Sequence, residues 1–147
     1  MHACVAAVCD PELPALTIAE LGILRGVREA PDGGIVVALT PTYSGCPATQ
    51  AITDGVRQAL DSAGHRAVRI EIELAPAWTT ACLTPSAHAK LRAAGIAPPQ
   101  AREADGVPCP HCGAPTSALV SWFGSTACKA LYRCTACHEP FEYFKCL

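Results

Sequence analysis

Two cysteine pairs, Cys109-Pro-His-Cys112 and Cys134-Thr-Ala-Cys137, stand 21 residues apart towards the end of the chain. A C-x2-C pair places two thiolates on one side of a tight turn, and two such turns complete the tetrahedron of a closed structural Zn²⁺ site. Pro110 and Gly113 suit the first turn. The spacing is close to that of a zinc ribbon, and metal binding would supply folding free energy that so short a segment could hardly draw from apolar burial. Cys128 and Cys146 lie in the same stretch and are alternates for any of the four ligands. Four iron-bound thiolates or a redox dithiol would share this pattern. The string CTACH, 134–138, also matches a haem-attachment motif, but no export signal accompanies it. His111 and His138 are read as bystanders.

Cys46 poses a separate question, because in PTYSGCPATQ it lies where an extended apolar run gives way to helical spacing. With a helix over 48–63, Pro47 takes the first position, where a missing N–H costs nothing, and Cys46 falls at the N-cap. Unpaired backbone N–H groups and the positive helix end then favour the thiolate, the form that binds metals and attacks electrophiles. Gly45 leaves room for a close approach. A small buried cysteine at a helix start is the plainer alternative. Thiol catalysis would need a base, and neither His65 at a strand start nor His88 on a helix has a sequence reason to face Cys46.

The elements that must position these sulfurs are readable from periodicity. MHACVAAVC reads as a short helix stopped at Asp10-Pro11, and TIAELG, 17–22, as a further helical turn. Residues 23–29 and 35–40 flank APDGG, whose Asp-Gly step suits a hairpin between antiparallel strands. Ile52, Val56, Ala59, Leu60 and Ala63 give the 48–63 helix one apolar face. In 65–74, Val68, Ile70, Ile72 and Leu74 alternate with Arg69, Glu71 and Glu73, as in a strand with its aliphatics inward. Thr84-Pro85 and Gly95 bracket a last helix. The expected fold is α+β: a small mixed sheet with helices packed on one face, followed by a β-rich ribbon.

Proline, glycine and charge interrupt this pattern in GIAPPQAREADGVP, so a linker is expected at about 95–108, between domains at 1–100 and 101–147. The chain of 147 residues carries a net charge of −2, with seven basic and nine acidic residues before 101 and four of each after it. Few aromatics and no basic face argue against nucleic acid, and no apolar run is long enough for a membrane. MHACVAAVCDPE lacks the features of a secretory signal, so a reducing cytoplasm is expected, where ten cysteines serve better as ligands or thiols than as disulfides.

The stretches DPELPALTIAELGILRGV (10–27), LTPTYSGCPAT (39–49) and LAPAWTTACLTPSAHAKLRAAGIAPP (74–99) resemble a family of iron–sulfur cluster assembly domains. The tail, with CPHCG, SWFGSTACKALYRC and CHEPFEYFKC, resembles the ribbon of the accessory subunits of bacterial phenylacetyl-CoA epoxidase systems. The resemblance implies an accessory protein that does not itself catalyse oxygenation. It would assemble or deliver iron–sulfur or iron centres to the oxygenase subunits and an iron–sulfur flavoprotein reductase during phenylacetate degradation. A structural docking subunit holding no cluster and a thiol-dependent enzyme are the alternatives.

Carried over by position, Cys46 matches the family's cluster- or metal-handling cysteine. Asp10, Glu12, Thr40 and Pro47 match its flanking residues, and Trp78, Thr79 and Thr80 its tryptophan-threonine segment. Relatives follow that segment with an acidic and an aromatic residue, where this chain has Ala81 and Cys82. Cys82 is therefore expected to lie near Cys46 as a second soft ligand for a transient iron–sulfur cluster or iron. Both a protein acting alone and a homodimer sharing a cluster through two Cys46 residues are compatible with the sequence.

Overall fold

The computed structural model describes residues 1–100 and 106–146. They form two compact units, Met1–Thr84 and Pro85–Leu147.

In the first unit, α1 (His2–Ala6) precedes a hairpin of β1 (Leu24–Glu29) and β2 (Ile35–Leu39), then α2 (Ala48–Ser62) and β3 (Val68–Ile72). The sheet order is β1-β2-β3, antiparallel on one side of β2 and parallel on the other. A parallel neighbour requires a crossover, which α2 supplies. Continuous apolar IVVAL suits the central place, and Val36 and Val37, on opposite faces, are both buried. Ile52, Val56 and Leu60 form the buried stripe of α2. At the hairpin, Gly33 takes φ +78° and Asp32 Oδ1 accepts the Gly34 N–H at 3.0 Å.

Three local expectations are modified. The first helix stops at Ala6, because Cys9 leaves it to bridge Thr17. The 17–22 segment forms turns closed by a reciprocal cap, in which Glu20 Oε2 accepts the Thr17 N–H at 3.0 Å and Thr17 Oγ1 accepts that of Glu20 at 3.2 Å. Gly22 at φ +68° then ends it. The aliphatic face of 65–74 is only partly covered: Ile72 is 44% exposed and Leu74 60%, since β3 is an edge strand.

The second unit comprises α3 (Pro85–Ala93), β4 (Ile96–Ala97), β5 (Ser117–Ser121), β6 (Lys129–Cys134) and β7 (Pro140–Phe144), with sheet order β4-β7-β6-β5. Ile96 and Ala97 pair with Glu142 and Tyr143, and Gly95 at φ +75° turns α3 into that strand. This pairing is why the compact unit begins at Pro85, earlier than the division expected near residue 100. Residues 101–105 of the expected linker lie outside the described residues. Ala97, Val107, Ala130, Phe141 and Tyr143 build the core, with Tyr132 stacked on Phe141 at 6.1 Å.

One ion pair supports this sheet. Lys129 Nζ lies 2.8 Å from Glu142 Oε2, with side-chain exposures of 5% and 24%, and Glu142 Oε1 accepts the Ser125 N–H. Burial acts to raise the Glu142 pKa, but the hydrogen bonds from Lys129 and Ser125 outweigh it and hold the carboxyl below its ordinary range. Glu142→Gln strands Lys129 as a buried cation. The expected cost is about 2–3 kcal/mol at pH 7, below the usual figure for a fully buried pair because Glu142 keeps some contact with water. A folded pKa below the unfolded one means this contribution is full above the ordinary carboxylate pKa and fades as pH falls through the depressed value. Urea unfolding of both proteins should therefore show a gap at pH 7 that narrows on acidification.

Candidate metal centre and thiol site

Both cysteine knuckles are built alike. In the first, Cys109 N–H donates to Ala114 O and Gly113 N–H to Cys109 O, each at 2.9 Å. In the second, Cys134 N–H donates to Glu139 O at 3.0 Å, while the N–H groups of Ala136 and Cys137 point at Cys134 Sγ from 3.3 and 3.4 Å. The residue after each second cysteine is left-handed, Gly113 at φ +76° and His138 at φ +64°. His138 thus shapes a turn, and His111 sits edge-on to Phe141.

The sulfurs of Cys109, Cys112, Cys134 and Cys137 all lie within 4.8 Å of one another, the only such group of three or more potential ligands among the described residues. Cys109 and Cys137 are 3.8 Å apart, Cys112 and Cys134 3.6 Å. Four metal–sulfur bonds of about 2.3 Å in a tetrahedron require sulfur–sulfur edges of about 3.8 Å. The two pairs at 3.8 and 3.6 Å already match that edge, and all four sulfurs are close enough together to hold one ion. The Cys137 and Ala136 N–H groups, with help from neighbouring thiols, draw Cys134 down to about 6 against its burial. For Cys137 the Glu139 N–H acts downward, yet burial and the adjacent sulfurs push it up to about 12. Four thiols this close do not all ionise without a cation among them.

The alternates lie elsewhere. Cys128 Sγ contacts Thr126 Oγ1 at 3.1 Å, and Cys146 Sγ contacts Gln100 O at 3.0 Å and Tyr143 Oη at 3.6 Å.

Cys46 is half-buried and lines a niche together with Ile23, Leu39, Pro41, Thr49, Ile52 and Ile72. Its placement differs by one residue from the expected cap: α2 starts at Ala48, and Pro47, at φ −66° and ψ −23°, stands in the cap position. The Cys46 carbonyl accepts the Thr49 N–H at 3.2 Å. Beside it, a Cβ on Gly45 would meet only the Tyr43 ring, at 3.8 Å, so the approach is open. The niche is apolar and about 10 Å³ in volume, at most one water molecule. Anything larger held by Cys46 sits outside it.

The other expected site residues have partners of their own. Asp10 is buried, its Oδ1 accepting the N–H groups of Glu12 at 2.8 Å and Leu13 at 2.9 Å. Trp78 is 5% exposed and donates from Nε1 to Leu21 O at 2.8 Å. Cys82 ends a 3₁₀ turn (Thr80–Cys82) and is absent from the lining of the Cys46 niche. Its sulfur lies 3.9 Å from Arg25 Nη1. Arg25 also donates to buried Thr40 Oγ1 at 3.0 Å and to Pro76 O at 3.3 Å. Sequence reasoning missed Arg25, because its reach comes from a register shift between Leu24 and Gly26 that no local signal announces.

A second missed feature is the tip between β5 and β6. Leu119, Val120, Trp122 (46%) and Phe123 (67%) are exposed together. The tip is braced from below: Lys145 Nζ donates to Trp122 O at 3.1 Å and lies 5.1 and 4.8 Å from the Trp122 and Phe123 ring centroids. Aromatics beside Gly and Ser in SWFGS were its sequence signal.

The chain is 48% identical over 143 residues, 94% of its length and 86% of the relative's, to a 1,2-phenylacetyl-CoA epoxidase subunit of Escherichia coli (strain K12). It belongs to the family of that epoxidase subunit. Residues 96–145 match the PaaD zinc beta ribbon domain, a span that starts at β4 and includes all four clustered cysteines. Residues 3–74 match the family of iron-sulfur cluster assembly proteins, which takes in Cys46 and stops short of Cys82. Over 85 residues this member of the epoxidase-subunit family is 32% identical to the Fe-S protein maturation auxiliary factor of Porphyromonas gingivalis, covering 57% of this chain and 80% of that one. The crystal structure of a domain of unknown function, DUF59, from Bacillus anthracis superposes with a TM-score of 0.56 at 26% identity, covering 61% and 86% of the two chains. No described helix is long and apolar enough to cross a membrane.

Proposed function

We propose that this member of the epoxidase-subunit family is an accessory maturation factor that holds an iron–sulfur cluster or iron transiently on Cys46 and passes it to partner subunits of a phenylacetyl-CoA epoxidase. The observation that carries this reading is the half-buried residue Cys46 lining a niche too small to enclose a cluster, within the segment that matches iron–sulfur assembly proteins. Thiolate binds iron strongly yet exchanges, and a cluster left outside the protein surface is open to an incoming thiol. Zn²⁺ in the four-cysteine site then shapes the ribbon, and the braced Trp122–Phe123 tip meets the client, an oxygenase subunit or the iron–sulfur flavoprotein reductase.

Anaerobic reconstitution with ferrous iron and sulfide, followed by transfer to cluster-free reductase, tests the assignment. Visible absorption that depends on Cys46 supports it, and a protein that stays colourless while still binding its partners leaves the docking-subunit reading, which the exposed tip favours. Cys82 contacts Arg25 and does not line the niche, so Cys82→Ser is expected to leave loading at Cys46 within about twofold of wild type. A larger loss, read from the same absorption, would restore Cys82 as a second ligand.

A further inference from the structure

The exposed end of β3 is complementary to itself. No described strand pairs with its outer edge. The bonds from Ile35 N–H to Ala67 O and from Glu73 N–H to Leu39 O show that odd-numbered residues turn their backbone groups to β2. Ile70 and Ile72 therefore turn theirs outward. In an antiparallel match centred on Glu71, Ile70 faces Ile72 of a second copy and Val68 faces Leu74, while Arg69 faces Glu73 on the opposite side of the sheet. Each of those pairings occurs twice across the axis. Glu71 meets its own copy, but each Glu71 already carries Arg28 at 2.8 Å. Centring on Ile70 instead would leave Leu74, the more exposed of the two aliphatics, beyond the aliphatic ladder.

We infer that β3 pairs with β3 of a second copy of this chain in this register, giving a six-stranded sheet across a two-fold axis. Such pairing exchanges backbone hydrogen bonds between Ile70 and Ile72 and withdraws Ile72 and Leu74 from water. An axis perpendicular to the sheet keeps both α2 helices on one face. Ile72 is also a wall of the Cys46 niche, so pairing places both niches on that face, to either side of the axis. Neither the register nor the dimer depends on Cys46 holding a cluster.

Sedimentation of the full, reduced, zinc-replete chain tests the inference, using wild type, Arg69→Glu, Glu73→Arg, the double variant and Cys46→Ser. All three substituted side chains are at least partly exposed, so folding should be retained, with circular dichroism as the check. Arg69 also meets Asp32 at 3.0 Å, an exposed pair whose loss has little effect on stability. Wild type and Cys46→Ser are expected to dimerise equally. Either single charge reversal should weaken the dimer about tenfold or more, by setting like charges opposite each other twice, and the double variant should recover most of the loss. A wild type that stays monomeric at high micromolar concentration, or a double variant no tighter than the singles, would overturn it. A wild type that dimerises yet takes up no cluster on reconstitution would count against the proposed function alone.

Discussion

Cys109→Ser is expected to abolish metal binding at the four-cysteine site and unfold the second unit while leaving the first folded. Serine oxygen at neutral pH is a protonated, hard and shorter donor, so one corner of the tetrahedron is lost. The loss is not confined to the ligand. Cys109 and Cys134 are buried members of the apolar cluster that includes Phe141 and Tyr143, so the metal and the core hold one another in place. Structural zinc contributes on the order of 10 kcal/mol or more in comparable small domains, well above what the remaining contacts of so small a core provide. Bound metal, measured by elemental analysis, should fall to near zero relative to wild type. Amide spectra should show collapse of β4–β7 with the β1–β3 signals retained, because the first unit has its own buried core around Val37, Val56 and Leu60. Acid should act in the same direction in wild type, since protons compete for the sulfurs and burial and the adjacent sulfurs push Cys137 upward without the ion.

Cys46→Ser is the complementary result: function lost, fold kept. The side chain is half-buried, its backbone bonds to Tyr43 and Thr49 do not involve sulfur, and serine is nearly isosteric. Stability should change by less than about 0.5–1 kcal/mol. Cluster absorption after reconstitution should fall at least tenfold, because no other potential ligand group converges around this loop among the described residues. Thermal unfolding measured beside the absorption spectrum separates the two effects. A serine variant that loads as well as wild type would end the assignment of the cluster to Cys46.

Much of this was readable before any coordinates, and the reasons differ by element. The four-cysteine cluster follows from spacing because C-x2-C turns are local, yet setting it apart from Cys128 and Cys146 required the fold, which draws those two sulfurs to Thr126 and Gln100 instead. IVVAL was readable as a hairpin strand from the APDGG turn before it, while its central place came from the fold. The alternation in VRIEIEL was equally clear, but alternation says nothing of how far a covering helix extends, and α2 leaves Ile72 and Leu74 bare. Arg25, set by a bulge, and its three long-range hydrogen bonds were invisible for the same reason: tertiary register leaves no trace in local composition.

The two tryptophans report on different halves of the molecule. Trp78, enclosed and bonded to the Leu21 carbonyl, should emit at short wavelength and resist iodide, whereas Trp122 at the ribbon tip should emit near the wavelength of free indole and be quenched readily. Selective protection of the red component on mixing with a candidate client would then locate the encounter on the tip, with no label attached and the blue component serving as an internal reference.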